Sequence, residues 1–142
     1  MDEITIVVKQ SPTKSTHQSA LRVMRRKGGG FFVGKYASSE IKAWTAEFAE
    51  NVRKHKPDEP WDCPVHVSIH FFFPWPESAP KKNKDKLMWK TTRPDLDNSE
   101  KTILDTLTKE GFIKDDSIIC SKTSEKYFSP EPKILIVLRK IP

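Results

Sequence analysis

The chain has 142 residues, enough for one domain with a real core and too few for two. Lysine and arginine outnumber aspartate and glutamate by 25 to 19, a net charge of +6 with a pI of about 9.3, which favours a polyanionic partner. Cys63 and Cys120 lack metal-type spacing, no apolar run reaches membrane-span length, and Met1-Asp2-Glu3 opens no signal peptide. A zinc site, a secreted disulfide scaffold and a membrane partner are therefore set aside, and a cytoplasmic protein is expected.

Residues 4–8 are β-branched and apolar and read as a first strand. Residues 9–35 are polar and basic, with Lys14, Arg22, Arg25, Arg26 and Lys27 ahead of Gly28-Gly29-Gly30, and read as a mobile arm or long loop. The glycine triplet is no phosphate loop, because the Lys-Ser/Thr ending and a preceding strand at the right distance are missing. Such an arm could ride on DNA phosphates or be a solvated connector.

Ser38, Ser39 and Glu40 open a helix whose apolar positions Ile41, Trp44, Phe48 and Val52 recur at helical spacing. Pro57 and Pro60 help to break it. The clearest strand follows, with Val65, Val67, Ile69, Phe71 and Phe73 on one face and His66, Ser68, His70 and Phe72 on the other. His66 and His70 share a face but lie about 13 Å apart by strand rise, too far for one metal ion. Residues 76–92 form a second basic stretch expected to be mobile, carrying Lys81, Lys82, Lys84, Lys86 and Lys90 with Trp89. Lysines interleaved with an aromatic suit phosphate contact and base stacking, although any one lysine could simply be solubilising.

Arg93-Pro94-Asp95-Leu96-Asp97-Asn98 comes next, followed by Lys101, Asp105 and, past Gly111, Asp115-Asp116. Pro94 disfavours helix at Arg93, so Asp95 and Asp97 are expected to enter on an extended segment and share a face. Asp97 with Glu100 has capping-box spacing, predicting a helix to about Glu110 with Ile103, Leu104 and Leu107 as its apolar stripe and Gly111 as a left-handed terminator. The second extended run could then return Asp116 beside Asp95 and Asp97, with Lys101 close by. Clustered carboxylates call for a shared proton or a divalent cation, and Mg²⁺ takes one or two carboxylates plus water and substrate phosphate. That is the chemistry of phosphodiester hydrolysis. Taken singly, these residues suit other uses: Asp97 as a cap, Asp95 and Asp116 as turn acids, Lys101 paired with Asp105. A calcium loop begun at Asp95 fails, because Glu100 stands where it needs Gly and Thr106 where it needs Glu.

Arg93-Pro94-Asp95-Leu96-Asp97-Asn98, Lys101, Asp105, Leu107, Gly111 and Asp115-Asp116-Ser117 together resemble the signature of the RusA-type Holliday junction resolvases. The resemblance is close over residues 93–119 and only one of general layout over the first 60. It implies a catalytic set of Asp95, Asp97, Asp116 and Lys101, with the three aspartates holding Mg²⁺, or Mn²⁺ as a substitute. It implies a homodimer that nicks opposed strands of a four-way DNA junction in recombination and repair, and a phage or prophage origin with action in the host cytoplasm. The basic stretch, with Arg93, would lie where the DNA backbone passes. Ile118 departs from the family pattern, since relatives often carry a polar residue after the Asp-Asp pair.

Residues 118–128 read as a strand of mixed faces in which Glu125 and Lys126 could reach the edge of the site, and residues 133–141 as a final strand, apolar on both sides and so internal. The expected fold is a single α+β domain over residues 1–142, RusA-like, with helices packed on a mixed or antiparallel sheet. The expected function is a Mg²⁺-dependent junction resolvase. The alternatives are a non-catalytic binder of branched or single-stranded DNA, and an endonuclease acting on flaps or forks.

Overall fold

Strict alternation of buried and half-buried residues sets the central strand. The computed structural model describes residues 2–14, 20–36 and 39–142, with backbone alone over 20–24 and 32–36. Strand β4 (Val65–Pro74) buries Val65, Val67, Ile69, Phe71 and Phe73 and leaves the intervening residues half-exposed. It pairs antiparallel with β7 (Lys133–Lys140) and parallel with β6 (Ile119–Ser129). β1 (Glu3–Val8) joins the far side of β7, and β5 (Met88–Trp89) joins β6 at the other edge, in the order β1-β7-β4-β6-β5. β7 is therefore internal, as its apolar character on both faces requires.

Helices α1 (Ser39–Arg53) and α2 (Leu96–Lys109) cover one face. Phe48 and Val52 of α1, with Ile103 and Leu107 of α2, complete one core with the buried rows of β1, β4 and β7. Trp44 stacks on Phe48 with ring centroids 5.1 Å apart. The result is the expected α+β arrangement of a mixed sheet with helices packed against it.

The basic stretch 9–35 is not a plain loop. Gln10 is buried, donates through Nε2 to the Trp44 carbonyl at 3.1 Å and accepts from Asn51 Nδ2 at 3.0 Å, tying the chain after β1 to α1. Further on, β2 (Ala20–Arg25) and β3 (Phe31–Tyr36) form an antiparallel hairpin. Its turn uses Gly28, Gly29 and Gly30, all at positive φ. The basic residues hid a short β pattern in Leu21, Val23 and Phe31-Phe32-Val33. Ser38, expected to help open α1, lies outside the described residues.

Residues 76–86 are turn-rich and anchored. The Ala79, Asn83 and Lys86 N–H groups close turns onto Pro76, Pro80 and Asn83, each at 3.0 Å. Trp75 stacks on Phe128 at 4.6 Å and donates through Nε1 to the Lys86 carbonyl at 2.9 Å.

α2 ends in a Schellman motif, with the Gly111 N–H bonded to the Thr108 carbonyl at 3.2 Å and the Phe112 N–H to the Leu107 carbonyl at 3.0 Å. Phe112 and Leu107 are both fully buried, supplying the apolar contact that accompanies such an ending. Gly111 sits at φ +87, and a Cβ there would meet Lys56 Cε at 3.2 Å. Gly111→Ala is expected to destabilise the protein by about 1–2 kcal/mol. The measurement is the urea midpoint, with an unchanged m-value showing that only stability moved.

Candidate active site

α2 begins two residues earlier than the capping box predicts. Asp95 occupies the cap position with extended backbone (φ −67, ψ 143) and no side-chain cap bond, and Asp97 lies inside the first turn. The two aspartates therefore do not share an extended segment. Both are exposed at the helix N-terminus, where the orphan N–H groups and the helix dipole favour negative charge. Lys101 follows Asp97 by one helical turn and is also exposed.

Glu100 does something else. It is 7 % exposed, and its carboxylate accepts from Lys122 Nζ and, at 2.6 Å, from Ser124 Oγ, both on β6. A buried carboxylate needs this charge and hydrogen-bond partnership, which outweighs a local cap. Glu100 thus fixes the rotation of α2 on the sheet, so Asp97 and Lys101 are turned to solvent.

Lys126, two residues along the same face of β6, fixes the entry to α2. Its Nζ donates to the Thr92 and Pro94 carbonyls, both at 2.7 Å. These two carbonyls flank Arg93 and the cis Arg93–Pro94 peptide and immediately precede Asp95. Lys90 adds a bond from Nζ to Thr92 Oγ1 at 2.7 Å and sits over the rings of Phe128 and Phe73 at 4.4 and 5.0 Å. Burial, and then the charges of Lys126 and Lys14, hold the Lys90 ammonium below its usual pKa. Glu125 points to the opposite face of the sheet, where its carboxylate accepts from the Tyr127 hydroxyl and lies 3.9 Å from His70 Nδ1. Of the adjacent pair expected at the edge of the site, only Lys126 is there, because successive strand residues alternate faces.

Asp116 is elsewhere. It accepts a hydrogen bond from Thr108 Oγ1 at the C-terminal end of α2 and lines a cleft of about 280 Å³ with Thr102, Asp105 and Asp115. The helix rise from Asp97 to Thr108 is about 16 Å. Within one chain the structure does not bring Asp116 to the Asp95/Asp97 pair. Among the described residues no group of three or more His, Cys, Asp or Glu could hold a metal ion.

Of the candidate DNA contacts, Lys81, Lys82, Lys86 and Arg93 are exposed, while Lys84 donates from Nζ to the Glu77 carbonyl at 2.9 Å and Lys90 is held as described. His66 and His70 lie on the helix-free face, and the His66 ring nitrogens are 2.8 and 3.1 Å from the Ser121 and Ser68 hydroxyls. Sequence reasoning missed the Glu100–Lys122–Ser124 group and the role of Lys126. The signal was present as Lys122, Ser124 and Lys126 at period two on a strand face where an apolar row would be expected.

The chain was compared with known proteins. The family model described as Endodeoxyribonuclease RusA matches residues 12–139. A protein of Lactococcus phage r1t named crossover junction endodeoxyribonuclease rusA is 34% identical over 90 residues, which are 62% of this chain and 65% of the relative. The uncharacterized protein YqaN of Bacillus subtilis (strain 168) is 32% identical over 94 residues, 62% of this chain and 66% of the relative. The chain thus spans just under two thirds of the length of these curated relatives.

Asp115 shapes the turn that presents Asp116. The Ser117 side chain, and then the Ser117 backbone N–H, which reaches Asp115 Oδ2 at 3.1 Å, lower the Asp115 pKa. The stabilisation this carries is present above the unfolded carboxylate pKa of about 3.9 and is lost as pH falls through the folded value. Ser117→Ala should raise the Asp115 pKa part of the way back, since the backbone bond remains. Side-chain NMR titration of Asp115 checks the direction.

Proposed function

The chain belongs to the RusA endodeoxyribonuclease family, and from that premise we propose that it is a metal-dependent endonuclease cutting four-way DNA junctions. Nucleases of this family are generally metal-dependent. The observation that carries the reading is the exposed Asp95/Asp97 pair at the N-terminus of α2, beside a lysine-held backbone, in a chain of net charge +6. A protein that only binds DNA gains nothing from carboxylates placed beside the cations that meet phosphate.

Two carboxylates with open solvent around them fit what Mg²⁺ takes from a protein, leaving the other positions to water and phosphate oxygens. Asp95 and Asp97 would hold the ion, which when bound activates water and neutralises charge on the phosphate. Lys101, one turn further along, would place a cation by the scissile phosphate, stabilising charge as the leaving oxygen departs. Lys126 positions rather than reacts, by fixing the carbonyls on either side of Arg93. Lys81, Lys82, Lys84, Lys86, Lys90 and Arg93 would contact the DNA backbone and set orientation rather than sequence.

Asp116 lies about 16 Å along α2 from Asp97, so we assign it to the centre of a partner chain in a homodimer. A two-fold enzyme suits a junction in which two strands are cut. The setting would be recombination or repair in the cytoplasm, that of the bacterial host if the gene is carried by a phage.

The test is cleavage of a synthetic four-way junction beside a linear duplex and a flap, with and without Mg²⁺. Wild type should cut the junction alone and only with metal. Asp97→Asn should bind the junction and cut it at least about 10²-fold more slowly. Undiminished cutting by Asp97→Asn removes the assignment. Binding without cutting under any divalent metal makes the chain a branched- or single-stranded-DNA-binding protein, and preferential cutting of the flap changes the substrate. Mixing Asp97→Asn with Asp116→Asn should restore nicking of one strand, because one of the two shared centres is then intact. If each centre is built within one chain, the mixture stays inactive.

A further inference from the structure

The helix-free face of the sheet carries a row of rings that the nuclease reading leaves unused. Lys133 Nζ lies over the Phe72 ring at 5.1 Å, Phe72 stacks on Tyr127 at 5.2 Å with planes 17° apart, and Tyr127 stacks on Trp89 at 4.6 Å with planes 27° apart. His70 lies beside Tyr127 at 6.2 Å with planes 6° apart. The hydrogen bond from the Tyr127 hydroxyl to Glu125 fixes the middle ring. One end of the row is closed by the Lys133 ammonium. The other ends at Trp89, which is 65 % exposed on the edge strand of the sheet.

A pre-aligned row ending in an exposed indole offers the surface that another planar ring would extend. We infer that Trp89 is a stacking site for an unpaired nucleobase, and that the occupant of this sheet edge is single-stranded DNA. The neighbouring charge selects this occupant over an apolar protein surface. Lys90 follows Trp89 directly and so points to the other face of this edge strand, over Phe128 and Phe73, where its ammonium shares a neighbourhood with those of Lys126 and Lys14. The Lys90 and Lys126 ammonium groups spend their hydrogen bonds on a hydroxyl and on carbonyls, and among the described residues neither has a carboxylate ion-pair partner. Burial and the repulsion of Lys126 and Lys14 weaken the hold of Lys90 on its proton, and an arriving phosphate offsets the repulsion. A strand passing round the free edge of β5 would put a base against Trp89 on one face and a neighbouring phosphate toward these lysines on the other. The inference deepens the nuclease reading and rests on it for the nature of the polymer. The stack would hold one base out of the duplex at the sheet edge from which the chain runs on to Asp95.

The test uses the full chain in EDTA, so that binding is read without cleavage. Fluorescence anisotropy is measured with a labelled 15-mer of thymidine and, separately, with a duplex of the same length. Trp89→Ala is expected to bind the 15-mer about 10- to 100-fold more weakly, Trp89→Phe to recover most of that loss, and both to bind the duplex as wild type does. The salt dependence of 15-mer binding should keep its slope, because no phosphate contact is removed. Unchanged affinity of Trp89→Ala for the 15-mer, or equal loss on both DNAs, overturns the inference. So does sedimentation showing that Trp89→Ala dissociates a wild-type dimer, which would make the ring row an interface between copies. Junction cutting by wild type in Mg²⁺, scored separately, says whether the nuclease reading stands when this one fails.

Discussion

The parallel pairing of β4 with β6 is the constraint on which the rest of the molecule depends. Parallel neighbours cannot be joined by a tight turn; the chain must leave the end of one strand and return to the start of the other. The crossover here runs from Trp75 to Ile118 and includes the lysine-rich turns, β5, the Arg93-Pro94-Asp95 entry, α2 and the turn at Asp116. Every residue assigned a chemical role in cutting lies on it. The buried row of β4 anchors one side of the crossover, and β6 with its lysines anchors the other.

β6 does this by carrying unlike chemistry on its two faces. Toward α2 it presents Lys122, Ser124 and Lys126, which bind the Glu100 carboxylate and the Thr92 and Pro94 carbonyls. Toward the open face it presents Glu125 and Tyr127, which join the ring row. Lys90 and Lys126 gather at the segment leading into the Asp95 end of α2, and carboxylates gather on α2 itself. Leaving the buried Glu100 carboxylate unpaired in that position would cost several kcal/mol.

Much of this was legible in the sequence. The alternation of β4 and the helical spacing of Ile41, Trp44, Phe48 and Val52 are signals of burial, and burial is what the fold optimises. Gly111 was legible because only glycine takes φ +87 without strain. The hairpin β2–β3 was not, since short β patterns diluted by arginine and lysine score as loop. The start of α2 was displaced because Glu100, which would have completed the cap, found a stronger partner on a strand 22 residues away in sequence. The expected meeting of Asp116 with Asp95 and Asp97 failed for a related reason. Sequence order says that the chain turns back after α2, but only the antiparallel course of β6 along the helix says that Asp116 stays at the far end.

Glu100 and Thr108 tie α2 to β6 and to the turn at Asp116, one near each end of the helix. Removing or adding one residue between them would rotate one tie by about 100° relative to the other. Both could then be kept only by unwinding the helix. The 100–108 interval is therefore closed to insertions and deletions among viable descendants of this chain, whereas the turns over 76–86, joined to the sheet mainly through Trp75, are free to lengthen or shorten. Divergence in length should accumulate in the lysine-rich turns and spare the part that spaces the acids.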